Sequence, residues 1–296
     1  MTAKTWIIKD LLPVSTDYLK TKNIESPRLC AEILLSHQLS ISRLKLYLEY
    51  DQPVGENDLG KYRAMIKRLA DGEPIQYITG VQEFWSMDFI VNREVLIPRP
   101  ETEILVEQVI KAYKENSYAE RPVVNILDMC TGSGAIAVAV ASEIKNAVIV
   151  ASDISEEALN IARQNITRHG MQNRITLLEG DLFEPFKGLN NHFDIIVSNP
   201  PYITKEDYRL LPVKIRDFEP KIALESGVDG LSHIRAILEK VPHFLSPGGW
   251  LMLEMDPSQT DVVNKIIHKN GYFISASVIK DYSGRDRIVT TQKKIQ

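Results

Sequence analysis

Apolar residues recur at helical spacing from Thr5 to about Gly80, after which the rhythm of the chain changes twice. Leu29, Ile33 and Leu34 follow Ser26-Pro27, a pair that reads as an N-cap with proline at the first helical position. Ser42 is placed to cap a short helix through Leu44, Leu46 and Leu48. Leu59, Tyr62, Met65, Ile66 and Leu69 form a further stripe, closed by Gly72 and Pro74. From Phe84 to Ile97 aromatic and β-branched residues gather around the polar pair Asn92-Arg93, which predicts a hairpin or two short strands. Pro98-Arg99-Pro100 then stops the stretch and opens a helix through Leu105, Val106 and Ile110, with Glu101 and Glu103 in its first turn, where the helix dipole favours acids.

Beyond Glu120 short apolar runs alternate with helical stripes. Strands are expected at Val123–Asp128, Val148–Asp153, Ile175–Leu178, Phe193–Ser198, Trp250–Glu254, Phe273–Ile279 and Arg287–Thr291. Helices are expected over Ala135–Ile144, after the cap Ser155, over Gly230–Leu245 and over Val262–Ile267, and a turn at Pro247-Gly248-Gly249. This alternation predicts an α/β fold: a Rossmann-like, doubly wound, mostly parallel seven-stranded sheet, preceded by an N-terminal helical bundle and joined to it by a β-hairpin. The expected domains are 1–82, the connecting hairpin 83–98, and 99–296.

The most distinctive corner follows the fourth of these strands. In Asn199-Pro200-Pro201-Tyr202-Ile203 the prolines end the strand abruptly, since neither donates to a ladder and each fixes φ. Carboxyl ends of strands are where open α/β sheets bind ligands. The Asn199 side-chain oxygen and the Pro200 carbonyl are two acceptors suited to the two protons of a planar NH2 group, and Tyr202 can cover its face. A loop cap in which Asn199 satisfies nearby backbone is the alternative.

Charge narrows the choice of partners. The chain carries 35 basic and 39 acidic side chains, net −4, so no general nucleic-acid surface is indicated. Lys61, Arg63, Lys67 and Arg68 share one helix, but the segment through Glu83 holds 11 basic and 11 acidic residues, so a solvated face is expected. The two cysteines, Cys30 and Cys130, fit a reducing compartment. No run reaches the ~18 apolar residues of a membrane span, and the charged start of the chain does not read as a leader; a cytoplasmic protein is expected. The six histidines show no ligand spacing, so no metal is expected.

Asp128-Met-Cys130-Thr131-Gly132-Ser133-Gly134 joins the first strand to the first helix, where glycines permit close approach of a ligand. Gly132-x-Gly134-x-x-Ala137 also fits a dinucleotide fingerprint loosely, with Asp153 placed for a ribose, so a nicotinamide enzyme is a rival. Three features favour S-adenosylmethionine. The Asp128 carboxylate suits a cationic sulfonium and would repel a pyrophosphate. Gly180-Asp181-Leu182-Phe183 offers an acceptor and an apolar surface to adenine, and the Asn-Pro-Pro-Tyr corner stands where a methyl group would be delivered.

At this point the chain resembles a family. It is similar to class I S-adenosylmethionine-dependent methyltransferases, and closely to the bacterial glutamine methyltransferases that act on peptide chain release factors. The resemblance runs almost end to end, through Gly72–Tyr77, Leu96-Ile-Pro-Arg-Pro-Glu-Thr-Glu103, Ile126–Gly134, Asn199–Ile203 and Asp281–Arg287. Leu96–Glu103 discriminates best, because many amino-group methyltransferases share the corner. The resemblance implies a cofactor site of Asp128, Cys130, Thr131, Gly132, Ser133, Gly134, Asp153, Asp181, Leu182 and Asn199. It implies a glutamine clamp of Asn199, Pro200, Pro201 and Tyr202, with catalysis resting on Asn199, the Pro200 carbonyl and Tyr202. Two positions depart from the pattern: Cys130 stands where relatives often have glycine, and Leu182 where some have an aromatic ring. The implied substrate is the Gly-Gly-Gln glutamine of a release factor, methylated on its side-chain nitrogen by a monomer that requires neither nucleic acid nor membrane. Arg99 and Glu101 are expected to brace. A ribosomal-protein glutamine and the amino group of adenine in nucleic acid are the alternative substrates, and an inactive module that docks a translation partner is the alternative class.

Overall fold

The computed structural model describes residues 5–116, 118–188 and 193–295; the first four residues of the chain's charged start lie outside them. The chain divides into two compact units, Met1–Gly80 with Val213–Phe218, and Val81–Pro212 with Glu219–Gln296.

The first unit contains α1 (Ile8–Thr21), α2 (Pro27–Leu39), α3 (Arg43–Leu48), α4 (Glu56–Ala70) and α5 (Ile75–Thr79). Leu12, Leu19, Leu34, Leu35, Leu46 and Tyr62 close its core. Ser42 caps α3 by accepting from the Lys45 amide, as its position implies. Ser26 does not cap α2: its backbone is left-handed, φ 50°, and its side chain makes no capping bond, so proline at the first position is left to shape that helix start.

The second unit opens with a hairpin of β1 (Val81–Phe84) and β2 (Met87–Ile90). Its turn is Trp85-Ser86, not the expected Asn92-Arg93. Both turn residues have positive φ, 53° and 55°, the conformation that two-residue hairpins require and that glycine or asparagine usually supplies. After α6 (Pro100–Glu115) come β3 (Val124–Met129), α7 (Ala135–Glu143), β4 (Ala147–Asp153), α8 (Glu156–Arg168), β5 (Ile175–Glu179) and β6 (Phe193–Ser198). The short helices α9 (Lys205–Leu210) and α10 (Val213–Arg216) precede α11 (Ser232–Phe244), β7 (Leu245–Glu254), α12 (Thr260–Asn270), β8 (Ser277–Lys280) and β9 (Asp286–Gln292).

The seven-stranded sheet has the order β5-β4-β3-β6-β7-β9-β8. β3 to β7 are parallel, and β9 runs antiparallel to both neighbours. Alternation across the pleat divides the core. Ile126, Ile195, Val197 and Met252 face α6 and α7, while Leu127, Ile196, Leu251 and Leu253 face α11 and α12. Pro247-Gly248-Gly249 is absorbed into β7, where the register against β6 shifts between Phe193↔Leu245 and Ile195↔Trp250. β8 begins at Ser277; Phe273 makes only an isolated bridge to Lys293. The order reverses direction between β3 and β6, so the crevice above their carboxyl ends is the natural ligand position.

Candidate active site

A cavity of about 200 Å³ opens above these strand ends. Cys130, Gly132, Asp153, Asp181, Leu182, Asn199 and Pro201 line it, joined by Ser152 and Ile154 from the end of β4. The turn after β3 is left-handed at Cys130, Gly132 and Gly134, with φ of 59°, 54° and 78°. A side chain at Gly134 would sit 3.3 Å from Ala162 of α8, so glycine there serves both conformation and packing. Cys130 adopts the same conformation with a side chain, which explains physically why glycine suits this position. Leu182 is left-handed too, φ 48°.

Asp153 is the best-held acid of the lining. Gly132 N–H donates to its Oδ2 at 2.8 Å and Ser155 N–H to its Oδ1 at 3.1 Å. Burial pushes its pKa up, and these amides work against that shift. Asp128 lies behind the wall and not in it. It is fully buried, and its Oδ2 accepts from Thr131 Oγ1 at 2.6 Å and from Ala137 N–H at 3.1 Å. Burial pushes its carboxyl up to about 7, against the Thr131 and Ala137 bonds. Its Oδ1, like Ser152 Oγ, is buried without a hydrogen-bond partner among the described residues. Thr131, Ser133 and Gly134 shape the turn without lining the cavity.

The corner after β6 is braced from several directions. Ile203 exchanges bonds of 2.8 Å with Leu224 O and Ser226 N–H, and Gln259 Nε2 donates to Tyr202 O at 2.8 Å. A Cβ at Gly230, φ 71°, would come within 2.2 Å of that same carbonyl. Asn199 Nδ2 donates to Thr102 Oγ1 at 3.2 Å, which makes Oδ1 the acceptor the amide has left to offer. Pro200 and Tyr202 do not line the cavity; the Tyr202 hydroxyl reaches Glu254 Oε1 at 3.4 Å. Burial, with the Glu254 charge next, holds the Tyr202 phenol far above its usual range, so it remains a donor.

In the Leu96–Glu103 run Leu96 lines the cavity, while Ile97, Arg99 and Glu103 brace the chain around it. Arg99 pairs with buried Glu219 at 2.5 Å, Glu219 also accepts from Ile97 N–H, and Glu103 accepts from Trp85 N–H at 2.7 Å. Sequence reasoning missed Ile154, Ala223 and His233 in the wall, and Glu254 behind it. Ile154 directly follows the ribose-binding candidate and an acid closing the apolar run Trp250–Leu253 was a visible anomaly, but no local pattern marks Ala223 or His233. Burial lowers the His233 pKa, and its Nδ1 is 2.7 Å from Ser226 Oγ.

Two family models match the chain: PrmC N-terminal domain over residues 10–80, and Methyltransferase small domain over residues 102–213. A release factor glutamine methyltransferase from Rhodopirellula baltica is 40% identical over 288 residues, covering 97% of each chain. Another, from Geobacter sulfurreducens, is 40% identical over 284 residues, covering 96% of each. In fold the chain is similar to the crystal structure of the hMettl16 catalytic domain in complex with a MAT2A 3′UTR hairpin, with TM-score 0.57, 10% identity and 81% of each chain covered.

Proposed function

Because the chain belongs to the release factor glutamine methyltransferase family, we propose that it methylates the side-chain amide nitrogen of the Gly-Gly-Gln glutamine in a peptide chain release factor, with S-adenosylmethionine as methyl donor. The observation that carries this reading is Asn199, which lines the cavity with its NH2 committed to Thr102 and its Oδ1 left to accept.

The residues present fit the cofactor. Asp153 offers a carboxylate to a ribose hydroxyl pair, Asp181 an acceptor to an adenine amino group, and Ile154 and Leu182 apolar surface to the base. The unpartnered Oδ1 of Asp128 supports a cationic ligand nearby, acting through the wall and not by lining it. When bound, S-adenosylmethionine supplies a methyl group already activated on a sulfonium.

The chain's own task is therefore positioning. A primary amide nitrogen is a weak nucleophile because its lone pair is shared with the carbonyl. Asn199 Oδ1 and the Pro200 carbonyl would hold the two amide protons, draw the N–H bonds toward themselves and orient the nitrogen for transfer. Proximity can be worth ~7–11 kcal/mol when the reacting groups are well oriented. The amide nitrogen would give up one of its two protons overall in exchange for the methyl group, whose bond to the sulfonium sulfur breaks, and that proton would leave to water. Tyr202 supports the corner from behind through its carbonyl and hydroxyl. Incubation with labelled S-adenosylmethionine and purified release factor, followed by peptide mass spectrometry, should place the label on the Gly-Gly-Gln peptide. Label elsewhere, or none, rejects the reading.

A further inference from the structure

Asn165 stands on α8, fully buried, and the mechanism above makes no use of it. Its amide is engaged at both ends. Oδ1 accepts from Ile90 N–H at 2.7 Å, while Nδ2 donates to Ile90 O at 3.0 Å and to Ser133 O at 2.9 Å. These partners fix which way the amide faces, since an N–H needs the oxygen and two carbonyls need the NH2.

The partners belong to two segments that are far apart in the chain and lead into one cavity. Ile90 ends β2, with Val81 of β1 beside it on one edge and the Asn165 side chain on the other. The amide thus stands in for a neighbouring strand and satisfies the open edge of the hairpin. Four residues on, Glu94, Val95 and Leu96 line the cavity. Ser133 stands between the two left-handed glycines of the turn after β3, whose Cys130 and Gly132 line the same cavity. Gly134 lets α8 come this close, because a Cβ there would sit 3.3 Å from Ala162. Ala162 precedes Asn165 by three residues and shares its helix face.

We propose that Asn165 is a positioning residue that ties these two segments together, so that the turn after β3 and the wall at 94–96 are set as one piece. The inference rests on the function proposed above, since this turn is the one assigned to S-adenosylmethionine. A ligand that orders the turn then also orders the end of the hairpin, and by linkage a loosened hairpin end weakens the ligand. The hairpin has other anchors. Glu103 accepts from Trp85 N–H, His169 Nε2 is 3.0 Å from Asp88 O, and Phe84 and Phe89 are buried in the core. Without Asn165 the hairpin stays docked and loses its tie to the turn.

The test uses the full chain with Asn165→Ala, which removes all three bonds, and Asn165→Asp, which keeps an acceptor for Ile90 N–H but offers no NH2 to the carbonyls. S-adenosylhomocysteine is the probe. Both variants should bind it about 10-fold more weakly than wild type by calorimetry, as expected when a buried carbonyl loses its donor. Hydrogen exchange supplies a second readout. In wild type, saturating S-adenosylhomocysteine should slow exchange across residues 84–91, which stand outside the cavity lining. In both variants that protection should be lost at saturation, while protection of the turn at 130–134 remains. Variants with wild-type affinity and exchange pattern, and only a lower Tm, would show an amide that merely fills the core and would overturn the proposal. So would a wild-type chain in which the bound probe leaves 84–91 unchanged. A wild-type chain that binds no S-adenosylhomocysteine overturns the cofactor reading itself, whereas wild-type binding matched by both variants removes the positioning role alone.

Discussion

Glu32 in the helical unit and Glu254 at the strand ends are both buried carboxyls, 3% and 1% exposed, and the chain treats them in opposite ways. Around Glu32, Arg28 Nε lies at 2.7 Å, Arg43 Nη2 at 3.0 Å, and the Tyr47 hydroxyl closes the set. Burial would raise its pKa, but these donors outweigh burial and leave it lowered. Around Glu254 the one hydrogen bond is long, at 3.4 Å, one oxygen has no partner among the described residues, and burial wins; at Asp128 the two bonds are of ordinary length, yet one oxygen again has no partner among the described residues and burial wins. A carboxyl that only has to hold helices together is fully satisfied where it stands. One beside a cavity is left short of partners, and a ligand or a moving proton can supply what is missing.

The comparison is broken or sharpened by graded experiments. Asn199→Ala should have the largest effect, a loss of ~10²-fold or more in turnover on release factor, by analogy with removal of one preorganised polar partner, with cofactor affinity intact by calorimetry. Turnover within a few-fold of wild type would remove Asn199 from the clamp. Asp153→Ala should weaken S-adenosylmethionine binding about 10- to 100-fold; unchanged affinity would place the ribose elsewhere.

Glu32→Gln should lower stability by about 1–3 kcal/mol, read from urea unfolding, with turnover kept. Its pH signature should mirror that of Glu254. A lowered folded pKa contributes stability that is present above the unfolded value of 4.5 and is lost as pH falls through that region. A folded pKa raised to about 7 contributes stability that is present below the unfolded value and is lost as pH rises through 7. Glu32→Gln should thus flatten the acid limb of the stability profile, and Glu254→Gln the neutral limb. Equal effects of both on one limb would end the contrast. The smallest effect belongs to Cys130→Gly, which relieves one left-handed residue and should gain about 1 kcal/mol or less, seen as a small rise in Tm.

The strand-end chemistry was readable because its parts are local. Apolar runs mark β3, β4 and β6, glycines mark the turn after β3, and prolines mark the corner. What escaped depends on conformations or distances that no short window encodes. The hairpin turn is made by Trp85 and Ser86, residues with no preference for positive φ, so the polar Asn92-Arg93 pair attracted the assignment instead. Asp128 was expected in the cavity because its chemistry suits a cation; whether a strand-end side chain faces the ligand or the helix behind it is decided by partners such as Thr131 and Ala137. Thr102 and Asn199 are 97 positions apart, and Tyr202 and Glu254 are 52 apart, so their meeting is a property of the sheet order alone.

The stretch Val213–Phe218 belongs with the helical unit although the chain on both sides of it belongs with the sheet. Lys214 Nζ is 3.6 Å from Glu25, and a Cβ placed on Gly72 would meet Val213 at 3.5 Å and Phe218 at 3.8 Å, ordinary contact distances. The helical unit is therefore not a detachable prefix. An exchange of N-terminal halves between relatives that cuts once near residue 80 would leave this six-residue insert facing a foreign surface. A transplant that carries both segments would move the unit whole, so inheritance at residues 213–218 is expected to follow the N-terminal segment more closely than the flanking sheet.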